Sequence, residues 1–279
     1  MSYKIVVDSC GELPEKLKQD GHFENVPLEI LVEDYHIVDD ETFDQAEFLK
    51  RVAASPECPK SNCPSPERYM EAFDCEAEHI YAVTLSSQLS GSYNSAELGR
   101  NLYLEEKGEK QIHVFDSKSA SVGETVIAMK IQEYEEAGLD FEEIIEKVDG
   151  FIAELNTSFV LETLETLRKN GRLSNMKAFV AGALNIKPVM GGTREGTICQ
   201  IGQARGIAKA VDKMITDLIG KTINPKEKVV AIAHCNCPQR AKEAVEKIRS
   251  MAEFKEIFVV DTAGISSMYA NDGGIIIAV

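Results

Sequence analysis

The stretch Ile80–Ala96 changes period in mid-course, and that change restricts the fold more than any other feature. Ile80, Tyr81, Ala82, Val83 and Leu85 form a short apolar run, whereas Leu89, Tyr93 and Ala96 follow at i, i+4 and i+7. The first pattern is that of a buried strand and the second that of an amphipathic helix. A strand running directly into a helix belongs to an α/β layer, and strands separated by helices form a mostly parallel sheet. The junction TLSSQLSGSYNSA sets Ser86, Ser87, Ser90 and Ser92 around the turn, with Ser90 as the natural N-cap. Unpaired N–H groups in a first helical turn, with the macrodipole, favour a carboxylate or phosphate there. The same serines equally suit plain capping and turn formation.

Four strands are expected in the first half, at Tyr3–Asp8, Asn25–Val32, Ile80–Leu85 and Gln111–Asp116. Phe141, Ile144, Ile145, Val148, Ile152 and Leu155 carry helical spacing. In parallel sheets ligands bind beyond the carboxyl ends of the strands, where Asp8-Ser9, Ser86-Ser87 and Asp116-Ser117 fall. Four of the nine prolines crowd into Pro56–Pro66, which reads as a rigid, irregular loop. From residue 156 a second α/β layer begins, with strands expected at Thr157–Leu161, Ile186–Met190, Thr197–Gly202, Val229–His234, Ile257–Val260 and Gly274–Val279. Ile207, Val211, Met214, Ile215 and Leu218 form one helical stripe there, and Ala241, Ala244, Val245 and Ile248 another. The expected architecture is therefore two α/β domains, 1–155 and 156–279. The first has a mostly parallel sheet with helices on both faces, the second a mixed sheet with helices.

The chain of 279 residues carries a formal net charge of −16, which repels nucleic acid and excludes it as a partner. Seven scattered cysteines do not form a disulfide framework and fit a reducing, cytoplasmic setting. No stretch approaches the ~20 apolar residues of a membrane span, so no membrane insertion is expected. VVDSCGELP stands where a GxGxxG would follow the first strand, and Gly220-Lys221-Thr222 reads as a helix C-cap, not a P-loop. His234-Cys235-Asn236-Cys237 reads as a strand end with buried thiols, since nothing supplies the remaining ligands of a zinc site. No catalytic set and no metal or other cofactor is expected, which favours a binding protein. The rival is an enzyme of the same architecture acting on a carboxylated or phosphorylated metabolite, with Asp8, Asp116 or His234 as acid or base.

DSCGELP, KSNCPSP, LSSQLSGSYNSA, FDSKSASVG, LETLRKNGRLS and LNIKPVM, in that order over nearly the whole chain, together resemble the DegV family of bacterial fatty-acid-binding proteins. DSCGELP at Asp8–Pro14 resembles the family's D-S-x-x-x-L/I-P turn, KSNCPSP at Lys60–Pro66 its T-S-Q-P loop, and LSSQLSGSYNSA its S-S-x-L-S-G-T-Y segment. FDSKSASVG, LETLRKNGRLS and LNIKPVM are similar to three further family segments. The resemblance implies a long-chain (C14–C18) fatty acid buried between two α/β domains, with its carboxylate held by Ser61 and Ser90 and with Asn62 and Ser87 nearby. It also implies a partner, the kinase subunit of bacterial fatty acid kinase, which phosphorylates the presented carboxylate. Arg172 and Arg205 would then serve phosphorylation or docking. Three departures stand out: Ser61-Asn62-Cys63 where the family often has Thr-Ser-Gln, Asn170 for the first glycine of G-G-R, and SSMYANDGG where the family has a histidine. The last leaves Asn271, Tyr269 or water in the histidine's place.

Overall fold

The computed structural model describes residues 2–173 and 185–279. Ser174 and Leu184, at the edges of two family-like segments, lie outside the described residues. Before residue 156 come strands β1 (Tyr3–Asp8), β2 (Phe23–Val26), β3 (Glu29–Val32), β4 (Tyr35–Val38), β5 (Lys60–Asn62), β6 (His79–Thr84) and β7 (Gln111–Asp116). The helices of this half are α1 (Glu15–Lys18), α2 (Gln45–Ala54), α3 (Pro66–Phe73), α4 (Ser92–Lys107), α5 (Val122–Glu136) and α6 (Phe141–Glu154).

Strands β2-β1-β6-β7 form a parallel sheet in that order. Because side chains alternate across a strand, Ile5 and Val7 of β1 face α5 and α6 through Ile127, Ile131, Ile144 and Val148. Val6, on the other face, meets Tyr69, Phe73 and Ala96 of α3 and α4. Helices therefore cover both faces, as the sequence implied. The two covering helices α3 and α4 touch at Gly99, where a Cβ would lie 2.5 Å from the Pro66 carbonyl oxygen and 2.9 Å from Tyr69 Cβ. Gly99→Val is expected to cost about 2–3 kcal/mol by overpacking, read as a lower urea midpoint with an unchanged slope.

Two expectations need correction. Asn25–Val32 is not one strand: Pro27, which has no N–H to donate, separates β2 of the parallel sheet from β3, and the chain turns where the Leu28 N–H donates to Ser9 Oγ at 2.9 Å. The proline-rich loop is not wholly irregular either, since β5 pairs antiparallel with β3 in a three-stranded β4-β3-β5 sheet. That pairing fixes Ser61 opposite Ile30.

The second half contains β8 (Thr157–Val160), β9 (Ile186–Gly192), β10 (Ile198–Arg205), β11 (Val229–His234), β12 (Glu256–Asp261) and β13 (Ile275–Ala278). Its helices are α7 (Glu165–Lys169), α8 (Ile207–Ile219), α9 (Pro238–Met251) and α10 (Gly264–Ala270). Its mixed sheet has the order β10-β9-β8-β13-β11-β12. Val211, Met214, Ala241 and Ile248 of α8 and α9 pack on one face, and Gly220 caps α8 as expected. The opposite face, with Met190, Ala231 and Ile276, packs against Val122 and Val126 of α5. In return α10 lays Ile265 and Met268 against Leu28, Ile30 and Phe48 of the first half. The chain thus forms two α/β domains that exchange helical contacts across their junction.

Candidate functional site

A cavity of 220 Å³ lies at that junction, lined from both halves. β8 supplies its axis: Thr157 and Phe159, and Leu161 just past the strand's end, line it, whereas Val160 faces the α8–α9 core. Leu28, Leu85, Leu89, Ile198, Ile265 and Ile276 complete an apolar wall.

At the Leu161 end the wall becomes polar. Ser61 Oγ and Tyr269 Oη lie 3.3 Å apart, joining β5 to α10. Ser90 lines the same end; its Oγ accepts the Ser92 N–H at 3.2 Å and lies 3.0 Å from Ser92 Oγ. Helix α4 therefore starts at Ser92 with Gly91 as its N-cap, one residue later than the sequence suggested. Ser90 still holds a first-turn N–H from just outside the helix. Arg172 donates from Nε to the Leu89 carbonyl at 3.1 Å and from a terminal nitrogen to the Asn170 carbonyl at 2.5 Å, with its guanidinium 5.8 Å from the Tyr269 ring centroid. Asn170, which replaces a family glycine, donates to the Pro59 carbonyl at 3.0 Å and so ties α7 to the proline-rich loop. The following Gly171 takes φ 76°, where a glycine is favoured.

Not every candidate reaches the cavity. Asn62 is the exposed neighbour of Ser61 on β5 and points away, as alternation along a strand demands. Ser87 instead serves Asp116, donating its N–H at 3.0 Å and its hydroxyl at 2.6 Å. Asn271 accepts from Thr166 Oγ1 at 3.3 Å and donates to the Tyr269 carbonyl at 3.0 Å, so it holds the end of α10 rather than lining the space. Tyr269 lines the Ser61 end in its place. Arg205 is exposed on β10, and among the described residues neither it nor Arg172 forms an ion pair.

The acid–base candidates are committed elsewhere. Asp8 accepts the N–H groups of Leu85 at 2.8 Å and Cys10 at 3.1 Å. His234 lies 3.5 Å from Asp261, and burial holds its pKa down. Among the described residues, the one carboxylate on the cavity lining is Glu154, at the rim and 3.5 Å from Lys228. No cluster of three or more His, Cys, Asp or Glu among them is placed to hold a metal.

Behind Cys10, which also lines the cavity, lies a group the sequence did not reveal: Asp8, Glu12, Asp39 and Glu124, all buried. Ser121 donates to Glu12 at 2.6 Å. Asp39 accepts the first two N–H groups of α10, Gly264 at 2.5 Å and Ile265 at 2.9 Å, and the Ser9 hydroxyl at 2.9 Å. Both oxygens of Glu124 lack a hydrogen-bond partner among the described residues. Burial pushes the Glu12 carboxyl up to about 7 and that of Asp39 to about 6, and it raises Glu124 and the Cys10 thiol well above their ordinary values. Cys10 is thus a protonated, unreactive part of the wall.

Such a molecule is a two-domain α/β protein with a junctional cavity whose middle stretch is apolar and whose two ends carry hydroxyls, Ser61, Ser90 and Tyr269 at one and Ser119 and Thr157 at the other. The DegV family model, described as an uncharacterised protein family, matches residues 2–279. A DegV domain-containing protein of Streptococcus pneumoniae is 36% identical over 279 residues, covering 99% of this chain and 98% of that one. The chain belongs to the DegV family. Among solved structures, a DegV protein of Ruminococcus gnavus refined with vaccenic acid is 57% identical with a TM-score of 0.97, over 100% of both chains. The Fatty Acid Kinase B3 protein of Streptococcus pneumoniae, loaded with linoleic acid, is 33% identical with a TM-score of 0.89, over 100% of this chain and 99% of that one. No helix among the described residues is long and apolar enough to cross a membrane.

Proposed function

We propose that the chain is a non-catalytic, cytoplasmic carrier of a long-chain (C14–C18) fatty acid, divided at residues 155/156, with the tail between its two domains and the carboxylate at Ser61 and Ser90. The observation that carries this reading is the cavity itself, whose middle is walled by Leu28, Leu85, Leu89, Phe159, Ile265 and Ile276 and whose Leu161 end is lined by hydroxyls. Burial of a methylene is worth ~0.8 kcal/mol, so a sixteen-carbon acid gains about 11 kcal/mol before ordering costs. The tail supplies the affinity, and neutral hydroxyls suffice to orient the head. Relatives crystallised with vaccenic and linoleic acids support the ligand class, and seven free cysteines support a reducing compartment.

With Arg172 hydrogen-bonded to the Leu89 and Asn170 carbonyls, the hydroxyl end leaves the carboxylate unshielded by an ion pair, which suits presentation to a kinase subunit for acyl-phosphate formation. The name of the Streptococcus pneumoniae protein points the same way. In this reading Arg172 steadies the head group beside Tyr269, and the exposed Arg205 contributes to docking. The metabolite-enzyme alternative is less favoured because Asp8, Asp116 and His234 are all absent from the cavity lining.

The test is native mass spectrometry of the purified protein, then denaturation and identification of what is released. A stoichiometric C14–C18 acid is expected. An empty protein that refuses added oleate overturns the reading. Ser61→Ala/Ser90→Ala should weaken binding by roughly 10²- to 10⁴-fold, since hydrogen bonds to a charged group contribute about 1.5–3 kcal/mol each and two are lost. The cost to folding is about 1 kcal/mol from the lost Ser92 cap. Undiminished affinity by calorimetry would displace the carboxylate from these residues.

A further inference from the structure

The end of the cavity remote from Ser61 and Ser90 is built for something other than a methyl group. Thr157 opens β8 and Leu161 follows its last residue, four residues on and ~13 Å away along extended chain, and at Thr157 the apolar wall stops. Ser119 Oγ and Thr157 Oγ1, one from each half of the chain, lie 2.7 Å apart. Thr193, Arg194 and Thr197, from the turn joining β9 to β10, border the same end.

The hydroxyl pair is accommodated rather than incidental. A Cβ on Gly123 of α5 would collide with Ser119 Oγ and lie 2.8 Å from Thr157 Oγ1, so the helix carries a glycine where the two hydroxyls need room. Ser86 Oγ donates to the Gly196 carbonyl at 2.8 Å, and Arg194 donates to the Ala153 carbonyl at 2.6 Å, which together hold the turn against the first half of the chain. Each hydroxyl has one donor and two acceptor positions, so the mutual bond leaves one donor and further acceptors unspent. Ala153, Asn156 and Arg194 are exposed, so this end of the cavity also reaches solvent.

A hydrocarbon terminus seated here displaces water from polar groups and returns no hydrogen bond. A terminus bearing oxygen replaces that water. Resting on the fatty-acid reading above, we propose that the cavity accepts long-chain acids oxygenated at the ω-end, the terminal hydroxyl or second carboxylate being held by Ser119, Thr157 and Arg194. Glu154 does not oppose this, because its carboxylate is turned to Lys228. Lys118 adds a second cation to the lining at this end.

The test titrates the delipidated full chain with hexadecanoic, 16-hydroxyhexadecanoic and hexadecanedioic acids by isothermal titration calorimetry. At least one oxygenated acid is expected to bind within about tenfold of hexadecanoic acid. The hydroxy acid doing so alone assigns the end to the hydroxyl pair, and the diacid alone assigns it to the guanidinium. The triple variant Ser119→Ala/Thr157→Val/Arg194→Ala should shift the affinity ratio by at least about tenfold towards hexadecanoic acid, whose binding also reports that the variant is folded. Both oxygenated acids binding more than about tenfold weaker, or a ratio the triple variant does not move, overturns the proposal and leaves the carrier reading intact. Failure of hexadecanoic acid itself to bind the parent chain overturns the carrier reading beneath it.

Discussion

Gly264→Val is expected to destabilise the protein by about 3–5 kcal/mol, lowering the thermal midpoint by roughly 10 °C, and to weaken fatty-acid binding. A Cβ at this position would fall 2.6 Å from Asp39 Oδ1, 2.8 Å from its Cγ and 3.0 Å from Ile30 Cδ1. Asp39 must then withdraw from the N–H groups of Gly264 and Ile265. It has nowhere wet to go, since its side chain is buried beneath Ser9, and a buried carboxylate stripped of donors is among the costliest defects a fold can carry. The same step shifts α10, whose Ile265, Ser266 and Tyr269 line the cavity. Stability and affinity should therefore fall together. Gly21→Val is the control, because a Cβ there meets nothing within 4 Å. Equal losses in the two variants, measured by thermal unfolding of delipidated protein, would show that the Asp39 contact does not join the halves.

How much of this was legible follows the range of the interactions involved. Strands β7 and β11 stand where the apolar runs placed them, because a strand buried on both faces writes its limits into consecutive residues. β3 and β5 were not legible, since four- and three-residue strands acquire their identity from each other, across a separation that no local period records. Ser61 and Arg172 came from the family resemblance and Ser90 already from its place at a strand-to-helix turn, and all three line one cavity. The nearby candidates failed for local reasons a close reading can recover: Asn62 alternates outward from Ser61, and Ser87 is taken by Asp116. The hydroxyl pair of Ser119 and Thr157 and the carboxyl group around Glu12 had no such signature. In sequence these residues look like ordinary turn and cap positions, and only the docking of the two halves makes them neighbours.

Stability should rise as pH falls from 8 to about 5. Burial is the largest cause of the raised carboxyl pKa values, with Glu12 at about 7 and Asp39 at about 6 against ordinary values of 4.5 and 3.8. A carboxyl whose folded pKa lies above its unfolded one binds protons on folding. Its contribution is complete below the unfolded value and is lost as pH climbs through the folded value. For these two groups the loss runs from about pH 4 to 7. At ~1.4 kcal/mol per pKa unit each amounts to about 3 kcal/mol, and because Asp39 raises Glu12 the pair sums to less than its parts, on the order of 4–5 kcal/mol. Glu124 and Asp8, also raised, act in the same direction. His113 and His234, held down by burial, act against it below their ordinary value of 6.5, but His113 is only partly buried and the Asp261 carboxylate opposes the shift at His234. Urea unfolding of delipidated protein at pH 5.5 and 8.0 should therefore give the higher midpoint at pH 5.5. Glu12→Gln, which keeps an acceptor for Ser121 without the charge, should remove roughly half of the difference. A midpoint that instead rises with pH would mean that these carboxyls ionise freely in the folded protein, and that the space behind Cys10 is wetter than its packing implies.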